Sequence, residues 1–466
     1  MSRRIASLLV GLSLCACAGG AAGQRVHVAT AQTVVQGARA PRWLQGSAMH
    51  TRVVVGQDGE TYVGLWVDTP RAETAVARAP IDVALVVDTS GSMSGDKIQN
   101  ARMAAASFID GLAEGDIVSL YAFSDAPRML APPTVVDRES RARLLQQVGG
   151  LYAAGGTNIY GGLTVAQDAV SAAPPTHPVR RVVMISDGRA NIGPSTPAEL
   201  GDLAARVTEN GAQITAIGVG LDYDESTLGT IAARTSGRLY HLEQPQQMAV
   251  ILNDELSLLG QTVATNAVIE FTPEPGVTLE PVGVNRLDRG ENGYRLPLGS
   301  LYGAQHREVL LRVRGARAAR GLNTLGSARL RYEDPAARGA RRSSEPLAIQ
   351  VEAVAEGRAA VNERVASMVT RYEVAQSQLR AAQLMNQGQV AQADAQLAQA
   401  QERLRVAQHN FSDETVQGEL RRQESAVSRN RSSTQQMLRA PAASRPAAAR
   451  GAALQMNADS MHDLGL

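Results

Sequence analysis

From residue 81 onward, short apolar runs alternate with amphipathic stretches. Residues 81–87 are almost continuously apolar, the pattern of a strand buried on both faces. Residues 97–112 place Ile98, Met103, Ala106, Phe108, Ile109 and Leu112 at helical spacing. The alternation continues with strands at 117–123, 181–186, 213–219 and 239–242. Helices are predicted at 138–148, 159–170, 197–209, 224–235 and 248–259. Pro197 opens the third of these, and acids open the fourth, as the helix dipole favours. Alternating strands and helices over 81–260 predict an α/β fold, a doubly wound parallel sheet covered on both faces. Ligands of such sheets sit outside the carboxyl ends of the strands.

The flanks have a different period. Residues 52–68 read as a β-hairpin turning at Asp58-Gly59, within an N-terminal β segment and linker spanning 24–80. Residues 24–50 carry little pattern, and the Pro/Arg/Ala-rich 70–80 reads as linker. Residues 261–356 show strands without helices, at 267–271, 308–314, 327–332 and 347–354, with turns at Pro275-Gly276 and Asn292-Gly293. A lone hairpin is barely stable. The two flanks are therefore expected to form one β-sandwich, with the α/β domain inserted between its strands. Residues 357–412 predict an α-helical hairpin broken at Gly388. Val361, Val365, Met368, Tyr372, Ala375, Leu379 and Ala382 form one stripe; Val390, Ala393, Leu397, Ala400, Leu404, Ala407 and Phe411 form the other. The hairpin reads as a packing element, with a docking surface as the alternative. Residues 413–466 lack periodicity and are expected to be a disordered tail. Its arginines (Arg421, Arg422, Arg429, Arg431, Arg439, Arg445 and Arg450) are read as solubilising.

Composition narrows the function. Forty-six basic residues face 45 acidic ones in 466, a net charge of +1, so no whole-protein field draws nucleic acid or an anionic membrane. Aromatics are 3%, which argues against base stacking. The only cysteines, Cys15 and Cys17, exclude a disulfide framework or a cysteine zinc site. Lys97 is the sole lysine and is read as genome composition. Residues 1–23 read as a signal peptide: Arg3 and Arg4, then an apolar run at 5–14 too short to span a bilayer. Leu14-Cys15-Ala16-Cys17 resembles the lipobox of bacterial lipoproteins, with Cys17 as the acylated residue, although Cys15 departs from that pattern. Ala16-Cys17-Ala18 equally fits an ordinary signal peptidase site. The expected location is the cell envelope, facing the periplasm or cell surface, with membrane attachment only through an N-terminal lipid anchor.

Chemistry concentrates in three loops. The first apolar strand ends in Asp88-Thr89-Ser90-Gly91-Ser92, the 181–186 strand ends in Asp187-Gly188, and Gly155-Gly156-Thr157-Asn158 opens a helix between them. A doubly wound sheet puts all three at its carboxyl edge. Two carboxylates and three hydroxyls without a base are hard oxygen donors suited to Mg²⁺, with Mn²⁺ or Ca²⁺ next. In order and placement, these loops resemble the von Willebrand factor type A domain with its metal-ion-dependent adhesion site. Asp88-Thr89-Ser90-Gly91-Ser92-Met93 and Gly95-Asp96-Lys97-Ile98 look like the subgroup of inter-alpha-trypsin inhibitor heavy chains and their bacterial relatives. The resemblance implies metal ligation by Asp88, Ser90, Ser92, Thr157 and Asp187. It also implies a non-enzymatic, metal-dependent adhesion or scaffolding module whose cation takes an Asp or Glu carboxylate from a protein partner.

The alternatives are a metal-assisted hydrolase of a phosphate ester and a metal-independent envelope scaffold. No G-x-S-x-G elbow or H-E-x-x-H motif accompanies the three loops, and the seven histidines are scattered. Asp222, Asp224 and Glu225 lack EF-hand spacing and are read as helix caps. Asp125 is read as a turn former, with support of a loop near the metal as its alternative.

Overall fold

A computed structural model describes residues 42–55, 59–72, 78–283, 286–315, 319–357, 359–439, 441 and 445–463. The signal-peptide and Cys17 readings lie outside these residues. Among the described residues, three strands come first: β1 (Leu44–Ala48), β2 (His50–Val54) and β3 (Glu60–Asp68). The α/β domain follows with β4 (Ile81–Asp88), α1 (Asp96–Gly111), β5 (Ile117–Phe123), β6 (Pro127–Val135), α2 (Arg138–Val148) and α3 (Ile159–Ser171). It continues through β7 (Val179–Ser186), α4 (Pro197–Val207), β8 (Ala212–Val219), α5 (Glu225–Arg234), β9 (Leu239–Leu242) and α6 (Met248–Gly260).

Its sheet has the order β6-β5-β4-β7-β8-β9. Every pairing is parallel except β6 with β5. The antiparallel edge strand corrects the wholly parallel reading. Pro132 and Pro133 obscure it in the sequence, yet an edge strand tolerates their missing N–H groups. β4 is buried at every position and has a core on each side. Val83, Leu85 and Val87 meet Phe108 and Ile109 of α1, while Ala84 and Val86 share the other core with Leu163 of α3 and Leu200 of α4. Helix starts are fixed locally. Asp137 and Ser140 form a capping box on α2, and Thr196 and Glu199 form one on α4 with Pro197 in its first turn.

The chain then forms β10 (Thr262–Pro273), β11 (Thr278–Val282), β12 (Asp288–Gly290), β13 (Gly293–Tyr302) and β14 (His306–Arg314). After these come β15 (Gly321–Asp334), β16 (Ala340–Ser343), β17 (Leu347–Val354) and β18 (Ala360–Val361). One sheet runs β1-β3-β14-β11, the other β12-β13-β10-β15-β17-β2-β18 with β16 beside β15. Their shared core holds Leu65, Val67, Val309 and Leu311 from the first sheet and Ile269, Phe271, Leu296 and Leu330 from the second. The α/β domain is inserted between β3 and β10. The hairpin expected at 52–68 does not form. β2 pairs with β17 and β18 in one sheet, and β3 pairs with β1 and β14 in the other. Alternation marks a strand but does not name its partner, and β3 gains a neighbour on each side by crossing to the opposite sheet.

Four helices close the chain: α7 (Glu363–Asn386), α8 (Val390–Asn410), α9 (Glu414–Arg439) and α10 (Arg445–Asp463). α7 and α8 make the expected hairpin, turning through Gly388 at φ 74°. The tail expected to be disordered is helical instead. Val416, Leu420, Val427 and Met437 of α9 and Ala449, Ala453 and Met456 of α10 join the core of that hairpin. Buried Gln423, Asn430 and Thr434 interrupt the apolar stripe of α9, which is why its period is hard to see. Several of the tail arginines are structural. Arg431 pairs with Asp394 at 3.2 Å, and Arg450 binds Glu225 at 2.5 Å and the Leu221 and Tyr223 carbonyls at 2.8 Å. The helices also seat on the sandwich. Val365 and Met368 pack with Trp66 and Leu310, over Gly64, where a Cβ would lie 2.8 Å from Met368 Sδ.

Candidate metal centre

The three loops converge at the carboxyl edge of the six-stranded sheet. The first leaves β4 at Asp88 and makes a single turn over Gly91–Met93 before α1. It is tied down by backbone bonds from Thr89 N to the Phe123 carbonyl at 2.8 Å and from Gly91 N to the Gly155 carbonyl at 3.0 Å. The second loop is held from two sides. Asp125 Oδ1 accepts from Gly156 N at 2.6 Å, and Asn191 Oδ1 accepts from Thr157 N at 2.7 Å. Gly155, at φ 80°, leaves no room for a side chain: a Cβ there would be 2.7 Å from the Asp125 carboxylate. Asp125 therefore supports the loop, the second of its two sequence readings.

Side chains then meet across the loops. Ser90 Oγ and Ser92 Oγ are 3.0 Å apart, and Ser92 Oγ donates to Asp187 Oδ1 at 2.7 Å. Asp88 Oδ1 accepts from Ser90 N at 2.8 Å, and its Oδ2 accepts from Ser186 Oγ at 2.5 Å. A Cβ at Gly188 would lie 3.1 Å from Thr157 Oγ1 and 3.7 Å from Ser92 Oγ, so the Thr157 and Ser92 hydroxyls flank the third loop. All five candidate residues thus border one small region. Asp88 and Asp187 are fully buried, Ser90 and Thr157 nearly so, and Ser92 opens it to solvent.

Burying two carboxylates together is costly. Burial pushes the Asp88 carboxyl up to about 6, against the hydrogen bonds from Ser186 and Ser90, and the Asp187 charge adds to the rise. The donor set consists of neutral hydroxyls with two acids, and it fits a small divalent cation. One partial neutraliser belongs to the protein. Lys97 Nζ contacts Asp187 Oδ2 at 2.5 Å, leaving Oδ1 turned toward Ser92. The sequence reading used Lys97 only as part of the resemblance and as a mark of composition, although its place in the first turn of the helix after the first loop was visible. Ser186 and Asn191 were also missed, having no signal beyond their nearness to Asp187.

Residues 83–189 match the family model described as von Willebrand factor type A domain. The chain carries a von Willebrand factor type A (VWA) domain. An uncharacterized protein of Synechocystis is 24% identical over 327 residues, which is 67% of this chain and 76% of that protein. Human inter-alpha-trypsin inhibitor heavy chain H4 is 25% identical over 222 residues, 46% of this chain but only 23% of the human protein. Among solved structures, a von Willebrand factor type A protein from Catenulispora acidiphila superposes with a TM-score of 0.71 at 19% identity. That superposition covers 90% of this chain and 96% of the other, a likeness of fold. VWA domains commonly bind a divalent metal ion and typically serve as protein-interaction modules.

Two other acidic groupings have different roles. Asp224 caps α5 by accepting from Ser226 N and Thr227 N, and Glu225 holds Arg450. His306, Glu308 and Glu419 bring ligand atoms within 4.8 Å of one another. Arg371 pairs with both Glu308 and Glu419, and Arg364 contacts His306 at 2.9 Å, so arginine already supplies the positive charge there.

Proposed function

We propose that this protein is a metal-dependent protein-binding module of the bacterial cell envelope, for adhesion or scaffolding. The reading rests on one observation: at the carboxyl edge of a VWA sheet, two buried carboxylates and three hydroxyls are gathered around an opening at Ser92. Asp88, Ser90, Ser92, Thr157 and Asp187 would hold the ion, with Mg²⁺ as the first choice and Mn²⁺ or Ca²⁺ as substitutes. When bound, it supplies a Lewis-acidic coordination position for a carboxylate of a partner protein. The residues do the rest. Ser90, Ser92 and Thr157 offer neutral oxygens, so little of the cation's charge is cancelled. Ser186 and the Ser90 amide fix the orientation of Asp88, and Lys97 fixes that of Asp187. Envelope location, with Cys17 as a lipid-bearing residue, is proposed from the N-terminal sequence pattern.

The test is direct. Isothermal titration of the full chain with MgCl₂ should give one saturable site, and Asp88→Ala should lower its affinity at least about 100-fold while the far-UV circular dichroism spectrum is kept. Capture of envelope proteins on the immobilised chain should require Mg²⁺ and be released by EDTA. Equal capture with Mg²⁺ and with EDTA would overturn the reading.

A further inference from the structure

The opposite end of the same sheet carries the reverse charge imbalance. There the α/β domain meets the sandwich and the terminal helices around a cleft of about 920 Å³. Three guanidiniums gather where the cleft meets the sheet. Arg181, 1% exposed at its side chain, lies 3.4 Å from Glu255 and donates to Tyr302 Oη. Arg238 stacks on the Tyr302 ring at 4.8 Å and reaches only Tyr240 Oη, at 3.5 Å. Arg307, at the start of β14, is 9% exposed and lines the cleft. Among the described residues its guanidinium makes no hydrogen bond and no ion pair, and its Nε is sealed away without a partner. Burial holds its pKa down to about 10, and the neighbouring Arg238 charge works in the same direction.

Buried charges are normally paired, because an uncompensated one costs several kcal/mol. The buried acid beside these guanidiniums, Glu255, is engaged by Arg181, Thr215 at 2.6 Å and Tyr240 at 3.2 Å. The other acids of the cleft are occupied as well. Glu308 and Glu419 bind Arg371, and Asp459 accepts from Asn430 at 3.0 Å and Gln455 at 2.8 Å. Among the described residues, Arg307 therefore faces the cleft with its side chain largely buried and no carboxylate, and beside it Arg238 makes no ion pair, while Arg422 and Arg429 line the cleft from exposed positions. The walls beside them carry aromatic rings, Tyr240, Tyr302 and Tyr372.

We propose that this cleft binds a small organic anion, whose carboxylate or phosphate group sits against Arg307 and Arg238 and whose body lies along the tyrosines. The two head groups share the chemistry that guanidinium recognises, two or three acceptor oxygens in one plane. The site is separate from the metal centre, and its test is run with the metal removed.

The full chain, in EDTA, is titrated calorimetrically with phenyl phosphate, benzoate and inorganic phosphate, with chloride at matched ionic strength as control. Saturable 1:1 binding of phenyl phosphate or benzoate is expected, at least tenfold tighter than inorganic phosphate. Which of the two binds more tightly identifies the preferred head group. Arg307→Met should weaken that binding at least tenfold and, by removing an unpaired buried charge, raise the melting temperature of the ligand-free chain. Should Arg307→Met fail to fold, Arg238→Gln carries the same binding prediction. Absence of binding by all three anions, or binding unchanged in Arg307→Met or Arg238→Gln, overturns the proposal. Inorganic phosphate binding as tightly as phenyl phosphate overturns the part assigned to the tyrosines.

Discussion

The two ends of the six-stranded sheet handle charge in opposite ways. At the carboxyl rim, Asp88 and Asp187 are buried beside hydroxyls, with Lys97 as the neighbouring base. At the base, Arg181 pairs with Glu255, Arg238 lies within reach of the same charge, and Arg307 stands beside Arg238 with no acid partner among the described residues. Both ends bury charge, yet the rim is assembled from loops whose backbone groups are tied to one another and to the Asp125 and Asn191 side chains. The base is assembled from strand positions of two domains and closed by packing. The rim therefore tolerates loss of a side chain as a loss of ligand. At the base, losing the acid Glu255 is registered as a loss of stability, because Arg181 is left buried beside it.

That contrast can be broken most strongly at Glu255. Glu255→Ala leaves the Arg181 guanidinium buried without its acid and should destabilise the chain by about 3–5 kcal/mol in urea unfolding. Mg²⁺ affinity should stay within about twofold of wild type in the same variant, because the two sites lie at opposite ends of the strands. A stability loss below about 1 kcal/mol would show that the base behaves like the rim. Next in size is the contact that fastens the terminal helices to the loop after β8. Arg450→Ala removes the Glu225 ion pair and two carbonyl bonds and should cost about 2 kcal/mol. Protease cleavage within 445–463 should become faster.

The rim is sharpened by Lys97. Lys97→Met removes a positive charge from beside Asp187, one of the proposed ligands, and should tighten Mg²⁺ binding roughly three- to tenfold in calorimetry. Weaker binding would mean instead that Lys97 serves mainly to orient Asp187. The smallest effect is expected at His306, midway between sandwich and helices. Its Nδ1 meets Asp68 at 2.5 Å and its Nε2 meets Glu308 at 3.0 Å, with Arg364 beside it and Arg371 and Glu419 beyond Glu308. The bond to Glu308 and then that to Asp68 raise the imidazole pKa against burial. Burial works to raise the Glu308 carboxyl, but His306 and Arg371 outweigh it and hold it down to about 2. A raised histidine contributes its full stability below its unfolded pKa, near 6.5, and loses it as pH rises through the folded value. Urea midpoints should fall over that window by an amount worth less than about 1 kcal/mol, and His306→Gln should flatten the trend.

Much of this molecule is local and was legible. The apolar run of β4, the spacing of α1, Pro197 at the start of α4 and the acids that open α5 each follow from a few adjacent residues. The three rim loops also follow, because two begin where a strand ends and the third opens a helix, and Asp88, Ser90, Ser92, Thr157 and Asp187 could be named from the sequence. What failed depended on partners far along the chain. β2 and β3 looked like a hairpin and separated into two sheets. α9 looked disordered because Gln423, Asn430 and Thr434 sit in its buried face, where only contact with α7, α8 and α10 makes them tolerable.

The sequence by itself determined the alternating strand–helix unit, the insertion of that unit between β segments, and the residues of the rim. Periodicity and loop motifs are short-range signals, and they survive without a partner. Tertiary structure alone decided which sheet each flanking strand joined, that residues 414–439 and 445–463 pack as helices, and that Arg181, Arg238 and Arg307 meet at one end of a sheet. Those outcomes depend on surfaces meeting across hundreds of residues, where burial and charge balance are set by the neighbour and not by the residue's own stretch of chain.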